Sequence, residues 1–541
     1  MKRCLLFFIL LFHFSASFAA IYYSRAGQTE PNALASWDVN MGGGGGAPPT
    51  FTNADRFIIQ AGHSMTTTGT WIFGIAGSAL EIQNGATLQG DHLIQFTGTF
   101  QIDDGGTYIH NNNGSVAQTP AGTSIFSGTE SFGAGSNFEI RNWLDNLNGL
   151  PNTAPGIAWG NLIVNMQVDL GGAWNWDITA GTPLTINGNL DIKSTYPGVT
   201  PRELRFTGIG NQIINVGGDF LLSGTSIVNL KNNAGNNATG NVTMQVDGNV
   251  LLANTSQLNL GSPVSGATIG VFDLRFKGNF TATTTAVNGI TSTSAIAYLV
   301  ANGTTPQSFT CPAYLNCHFK VAPGAIVNQS GSIANGGGRV FAILGTYNDN
   351  GFTKTFSGAL EVAGGIFNST GSLAMGANRC RSCTGDGTFT GSGAAWCTGT
   401  GSRGRINFIS SIVTFDQNSS SLLLAGSGSS PGDIYLAGNA EVGFTVGNSG
   451  TGSVTLASNS ILSIAGNSNI NGNANYSADG GTLRSGSADG ITATGNTTNG
   501  NMRVGGTKSY NSTGINSFEY FGTGIQVTGN GLPAVFSGTL K

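Results

Sequence analysis

Charge is what this sequence has least of. Of 541 residues only 22 are Lys or Arg and 26 are Asp or Glu, 9 % in all, against about 25 % in an ordinary soluble protein. Solvated helices need Glu, Lys and Arg along their outer faces, so long helices are excluded. A disordered polyelectrolyte is excluded by the net charge of −4. The shortage of Lys and the slightly acidic balance argue against nucleic acid as a partner. No apolar run reaches the roughly 20 residues of a membrane-spanning helix. What is abundant is Gly, 85 residues, without the every-third-position period of collagen. An all-β chain rich in Gly, Thr, Ser and Asn remains.

Met1-Lys2-Arg3 followed by the apolar stretch Leu5–Phe18 and the small residues Ala19 and Ala20 reads as a secretory signal peptide over 1–20. Cys4 precedes the apolar stretch, so it is not the lipidated residue of a mature lipoprotein. The expected destination is outside the cell or on its outer surface, with no membrane span left after cleavage.

The organising feature is a repeat. Leu184–Ile192, Ile214–Leu222, Met244–Leu252 and Leu274–Ala282 share the pattern apolar-x-apolar-x-Gly-Asn/Asp-apolar-x-apolar. Their glycines, Gly188, Gly218, Gly248 and Gly278, recur every 30 residues. Each unit reads as two alternating strands around a corner, where Gly permits a positive φ and Asn or Asp tolerates it next best. A third apolar patch follows, as at Leu204–Phe206, Ile227–Leu230 and Leu258–Leu260. Three short strands per turn predict a right-handed parallel β-helix, a β-solenoid of about 17–24 coils. An array of β-sandwich domains is the alternative.

The expected division is a signal peptide (1–20), an N-terminal cap and Gly-rich break (21–50), a first β-helix section (51–155), a regular 30-residue section (156–305) and an irregular section (306–541). The last contains a Cys- and Arg-rich excursion over 376–405. The chain is expected to continue past Lys541, since it stops in a strand-like segment without a polar cap.

Tyr22–Arg25, Ala35–Asp38, Ala47–His63, Gly106–His110 and Gln526–Pro533 resemble the large Gly- and Thr-rich secreted surface proteins of Bacteroidota. That resemblance implies a β-helical, adhesin-like chain exported by type IX secretion. It brings no catalytic motif, and the C-terminal sorting domain of that group is not visible in this sequence.

Candidate sites are few. Cys311, Cys317, Cys380, Cys383 and Cys397 are disulfide candidates in an exported chain; a metal or redox role for Cys380-x-x-Cys383 with Cys397 is the other reading, although three thiols fall short of the four ligands zinc prefers. Arg379, Arg381, Arg403 and Arg405 make the one concentrated positive patch, either an anionic-glycan site or a solvated loop face. Trp174 and Trp176, two apart, share a face if the segment is a strand. They are either core or a stacking platform for sugar rings. Paired carboxylates for glycoside chemistry are not evident: Asp103 and Asp104 are adjacent, and Asp169 and Asp177 are isolated. His63, His92 and His110 have no spacing that fixes a shared site. No catalytic residue, metal or cofactor is assigned. The expected function is a non-catalytic structural or adhesin-like surface protein, with extracellular polysaccharide or other surface proteins as partners. A carbohydrate-active lyase or hydrolase and a carbohydrate-binding module are the alternatives.

Overall fold

The computed structural model describes residues 19–541 except 74–76, 97, 112–128, 143–157, 168–173, 179–180, 196–201, 209, 231–239, 262–269, 287–288, 293–296, 312–313, 336–338, 357–358, 364, 371–372, 376–393, 399–404, 410–411, 416–420, 425–432, 440, 445–451, 458–459 and 511–515. It is an all-β protein of long parallel sheets, a parallel β-helix. Two compact units are distinguished: residues 1–145 with 149–162, and residues 163–541 with 146–148.

In the first unit Ile21–Ser24, Arg56–Ile59, Ala79–Ile82, Thr99–Ile102 and Thr129–Phe132 stack in parallel. A second sheet runs through Ser64–Thr66, Thr87–Gly90, Thr107–Asn111 and Asn137–Asn142. The strand Trp37–Asp38 pairs antiparallel with Ile21–Ser24. It thereby occupies a sheet edge that would otherwise offer unpaired backbone groups. Trp37 is fully buried. Its indole N–H donates to the Pro31 carbonyl at 2.8 Å, and its ring packs on Phe57 and Trp71 at 5.1 and 5.8 Å.

The second unit repeats one coil. Each turn of chain supplies a strand to each of three sheets, and one of these sheets has 13 strands. All its inter-coil pairings between named strands are parallel, which sets aside the β-sandwich alternative. Register is kept by alternation: Leu184, Ile214, Met244, Leu274, Leu299 and Phe319 lie one above another. All six are buried. A one-residue slip would turn this whole column to solvent.

The repeat glycines do stand at coil corners, but for a reason other than the expected one. Gly188, Gly218, Gly248 and Gly278 are not among the residues with positive φ. They sit directly on one another: the N–H of Gly218, Gly248 and Gly278 donates to the carbonyl of the glycine one coil before, at 2.8, 2.9 and 2.9 Å. A Cβ on Gly248 would lie 2.6 Å from the Gly218 carbonyl oxygen, and one on Gly278 2.5 Å from that of Gly248. Absence of a side chain, not freedom of φ, is what the position demands.

The residue after each glycine explains the Asn/Asp of the motif. Asn189 Oδ1 accepts the N–H of Asp219 at 2.7 Å, and Asp219 Oδ1 that of Asn249 at 2.6 Å. Asn249 Oδ1 accepts from Asn279, and Asn279 Oδ1 from Ser308, both at 2.8 Å. One side-chain acceptor per coil thus satisfies the corner N–H of the next coil, a group that the sheets leave without a partner.

Coil length changes after the fourth repeat. Val246 lies under Phe276, then come Ala301, Val321, Ile343 and Val362. The steps are 30, 25, 20, 22 and 19 residues. The shorter coils lose loop residues between strands while the three strands persist.

Candidate functional site

Trp176 is fully buried and packs against Phe206 at 5.8 Å between ring centres. A sugar cannot reach it, so its place in an exposed platform is corrected to a place in the core. Its strand, Trp174–Asp177, pairs with Glu203–Thr207 so that Trp176 stands over buried Phe206. The side chains of Trp174 and Asp177 lie outside the described residues.

Arg379, Arg381, Arg403, Cys380 and Cys383 also lie outside the described residues, as do the side chains of Arg405 and Cys397. The backbone of Arg405 pairs with Ile366, and that of Cys397 with Val362. Cys311 and Cys317 are both buried thiols, so the disulfide expected to close their loop is not formed. Burial, with the nearby Cys311 adding to it, pushes the Cys317 thiol well above the ordinary thiol range.

The histidines take separate partners. His92 Nδ1 lies 3.0 Å from the Thr67 carbonyl, and His110 Nδ1 lies 3.2 Å from the Tyr108 hydroxyl. His110 is pushed down to about 4 by burial, so it is neutral at ordinary pH. Among the described residues no cluster of His, Cys, Asp or Glu suits a metal ion. Asp103 and Asp104 diverge: the first accepts from Gln101 Nε2 at 2.6 Å, the second from the Gly135 N–H at 2.7 Å.

Two arrangements were not foreseen. Ser24 Oγ lies 2.7 Å from His63 Nδ1 and accepts the Gln60 N–H at 3.0 Å. Both residues line a recess with Arg25 and the Gly42–Gly45 loop. Among the described residues the His63 imidazole has no second hydrogen-bond partner, so no acid orients it as nucleophilic catalysis requires. Ser24 instead ties the first strand to the corner at Gln60.

The second is a groove of about 400 Å³ on the outer face of the second unit, across Val242–Val246, Phe272–Phe276, Ala297–Ala301 and His318–Val321. It lies where the coil shortens from 30 to 25 to 20 residues. Two rows of register cross it: Thr243, Asp273 and Tyr298, and beside them Arg275, Val300 and Lys320; the next residue of the first row, His318, is fully buried with its ring 5.2 Å from that of Tyr298. Alternation turns Asp273 and Tyr298 away from the core, yet they are only 7 % and 8 % exposed. Asp273 Oδ2 pairs with Arg275 at 2.7 Å. Its Oδ1 is buried and accepts no hydrogen bond, and the same is true of Asn302 Oδ1. Both residues line the groove, as does Lys320, whose Nζ lies 6.0 Å from the Tyr298 ring centre. The only signal in the sequence is the shortening of the repeat beyond Leu274, together with polar residues in outward register.

No protein family, curated protein or solved structure matches the chain.

Proposed function

We propose that this chain is a secreted, surface-associated β-solenoid that serves as a structural or adhesive element and turns over no substrate. The observation that carries this reading is the repetition of short neutral polar groups in register along the coils. Asn328, Asn348 and Asn368 follow one another, with side-chain amide bonds of 2.8 and 2.7 Å between successive coils. On another edge the short polar side chains of Asn189, Asp219, Asn249 and Asn279 recur once per coil, each accepting a backbone N–H of the next coil. A surface built this way presents the same weak contact many times, and repetition converts weak contacts into avidity. The apolar N-terminal stretch and the resemblance to exported Bacteroidota surface proteins support secretion, and type IX export belongs to the same proposal.

The test is to incubate the purified chain with a panel of soluble and insoluble polysaccharides, following retention and new sugar ends together. Retention without new ends is expected. Time-dependent release of reducing or unsaturated ends would overturn the reading in favour of a lyase or hydrolase.

A further inference from the structure

We infer that the chain is cut between Ala19 and Ala20, and that the α-ammonium group this cut creates on Ala20 locks the first coil by pairing with the buried carboxylate of Asp55. The inference rests on the reading of the chain as secreted and adds to it a processing site and a consequence for folding.

The observation is an acceptor without a donor. Asp55 is only 6 % exposed. Its Oδ1 accepts the Ala20 N–H at 2.9 Å, while its Oδ2 is buried and has no hydrogen-bond partner. Among the described residues no cation neutralises it: Arg56, next in sequence, pairs with Glu81, and Arg25 pairs with Asp38. A buried carboxylate in this state costs free energy. Oδ2 is closed to solvent, so its donor must come from an atom already in place. Ala20 N is that atom. In the uncut chain it is an amide with a single proton, which Oδ1 takes. After the cut it is an ammonium with three protons, charged at neutral pH because an α-amine titrates near about 8. The two oxygens share one carbon, so an ammonium in contact with Oδ1 is within reach of Oδ2.

The cut is a hydrolysis by an export-linked endoprotease. Water adds its hydroxyl to the Ala19 carbonyl carbon, the bond to Ala20 N breaks, and both protons end on that nitrogen. An Ala19 carboxylate and an Ala20 ammonium result. Leader cleavage asks for small residues at the last and third-last leader positions. Ser17 and Ala19 satisfy this for a cut before Ala20, whereas a cut before Ile21 would place Phe18 third-last. The leader therefore ends one residue earlier than a span of 1–20. Ala19 is exposed, so the bond is within reach of a protease.

The new terminus is held where it forms. The Ala20 carbonyl accepts the Arg56 N–H at 2.8 Å, and Ile21–Ser24 then pairs in parallel with Arg56–Ile59. The Asp55 carbonyl accepts the Ala79 N–H at 3.0 Å, which ties the pair to the next coil. With the leader attached the first coil closes over a half-satisfied carboxylate, and after the cut over an ion pair. The precursor is thereby easier to unfold for passage through a membrane, and the mature chain is firmer once released.

The experiment has two parts. N-terminal sequencing of the chain exported from a host that processes secretory leaders is expected to begin at Ala20. Hydrogen exchange over residues 21–24 and 56–59 is then compared between the chain starting at Ala20 and the same chain preceded by Gly-Ser-Gly, which keeps Ala20 N an amide, each with and without Asp55→Asn. The free terminus is expected to slow exchange by about tenfold, the worth of one charge-assisted hydrogen bond, and Asp55→Asn to abolish that difference. Acylation of the Ala20 amine by an activated ester is a second readout that needs no variant: it is expected to be about tenfold slower in the folded chain than in urea. Export with another N-terminus overturns the inference, as does equal exchange with free and extended termini, a difference that survives Asp55→Asn, or equal acylation folded and unfolded. Each of these leaves secretion standing. Recovery of the uncut chain alone, inside the cell, would defeat the reading of secretion and the cut together.

Discussion

The backbone N–H of Asn249 donates to Asp219 Oδ1 at 2.6 Å, a bond spanning 30 residues of sequence and one coil of structure. It recurs at Asn189–Asp219 and Asn249–Asn279. The Gly-Asn/Asp motif is therefore a register device: the glycine lets coils approach, and the following side chain locks the next coil in place. Asp219→Ala removes one acceptor from this row. It is expected to cost about 1 kcal/mol and to speed hydrogen exchange at the Asn249 amide, whereas Asp219→Asn keeps the acceptor and leaves both nearly unchanged. Urea denaturation and exchange measured by NMR check the pair.

Gly248→Ala is expected to be worse. Its Cβ would lie 2.6 Å from the Gly218 carbonyl oxygen, and backbone on backbone cannot give way. A destabilisation of about 1–3 kcal/mol follows. Gly46→Ala meets nothing within 4 Å and carries no positive φ, so it is expected to stay within about 0.5 kcal/mol of the unaltered chain. Equal urea midpoints for the two variants would refute the stacking account of the repeat glycines.

A buried ion pair sits inside the second unit. Lys354 and Asp349 contact each other with no exposure of either side chain. Asp349 Oδ1 also accepts the N–H groups of Gly351 and Thr370 at 2.9 and 2.8 Å. Desolvation works against the Asp349 carboxylate, but the Lys354 charge and hydrogen bonds from Lys354, Ser369 and the Thr370 N–H outweigh it and hold its pKa below the usual value. The contribution of Asp349 to stability is thus present above the unfolded carboxyl pKa, about 3.9, and is lost as pH falls through the lower folded value. Lys354→Met strands the carboxylate and is expected to cost about 3–5 kcal/mol. Thermal unfolding at neutral pH checks this; a loss under 1 kcal/mol would contradict it.

His110 sets a second pH dependence, in the first unit. Burial holds its folded pKa at about 4, below the ordinary 6.5. The unfolded chain therefore takes up the proton first, and stability is full above about pH 6.5 and falls as pH drops toward 4, by about 3 kcal/mol in all. His110→Gln keeps a polar neighbour for the Tyr108 hydroxyl and is expected to flatten the profile across that window. An unchanged slope would show that another group carries it.

The architecture was legible because its cause is periodic. Alternation and the 30-residue spacing of Gly188, Gly218, Gly248 and Gly278 follow directly from stacking equal coils, and both survive in the sequence as text. The reason for those glycines was not legible: a sequence records that a residue is Gly, not whether its φ or its missing Cβ is needed. Trp176 was ambiguous for a similar cause. Alternation gives the face it shares with Phe206 one coil on but not which face is inward. The groove was hidden more deeply, since Asp273, Tyr298, Asn302 and Lys320 come from three coils of unequal length and share no motif. The state of Cys311 and Cys317 was not legible either: their spacing does not say whether the two sulfurs bridge, and both are buried without a disulfide between them.

If the 30-residue coils of the second unit are equivalent, one of them is removable. Excising residues 219–248 joins Gly218 to Asn249, so that the Asn249 N–H meets Asn189 Oδ1 in place of Asp219 and every column keeps its register. The most direct measurement is urea unfolding of this deletion beside one of half the length, residues 219–233. The account predicts cooperative unfolding and retained β-structure for the full-coil deletion and collapse for the half-coil deletion. Equal loss of structure in both would contradict it.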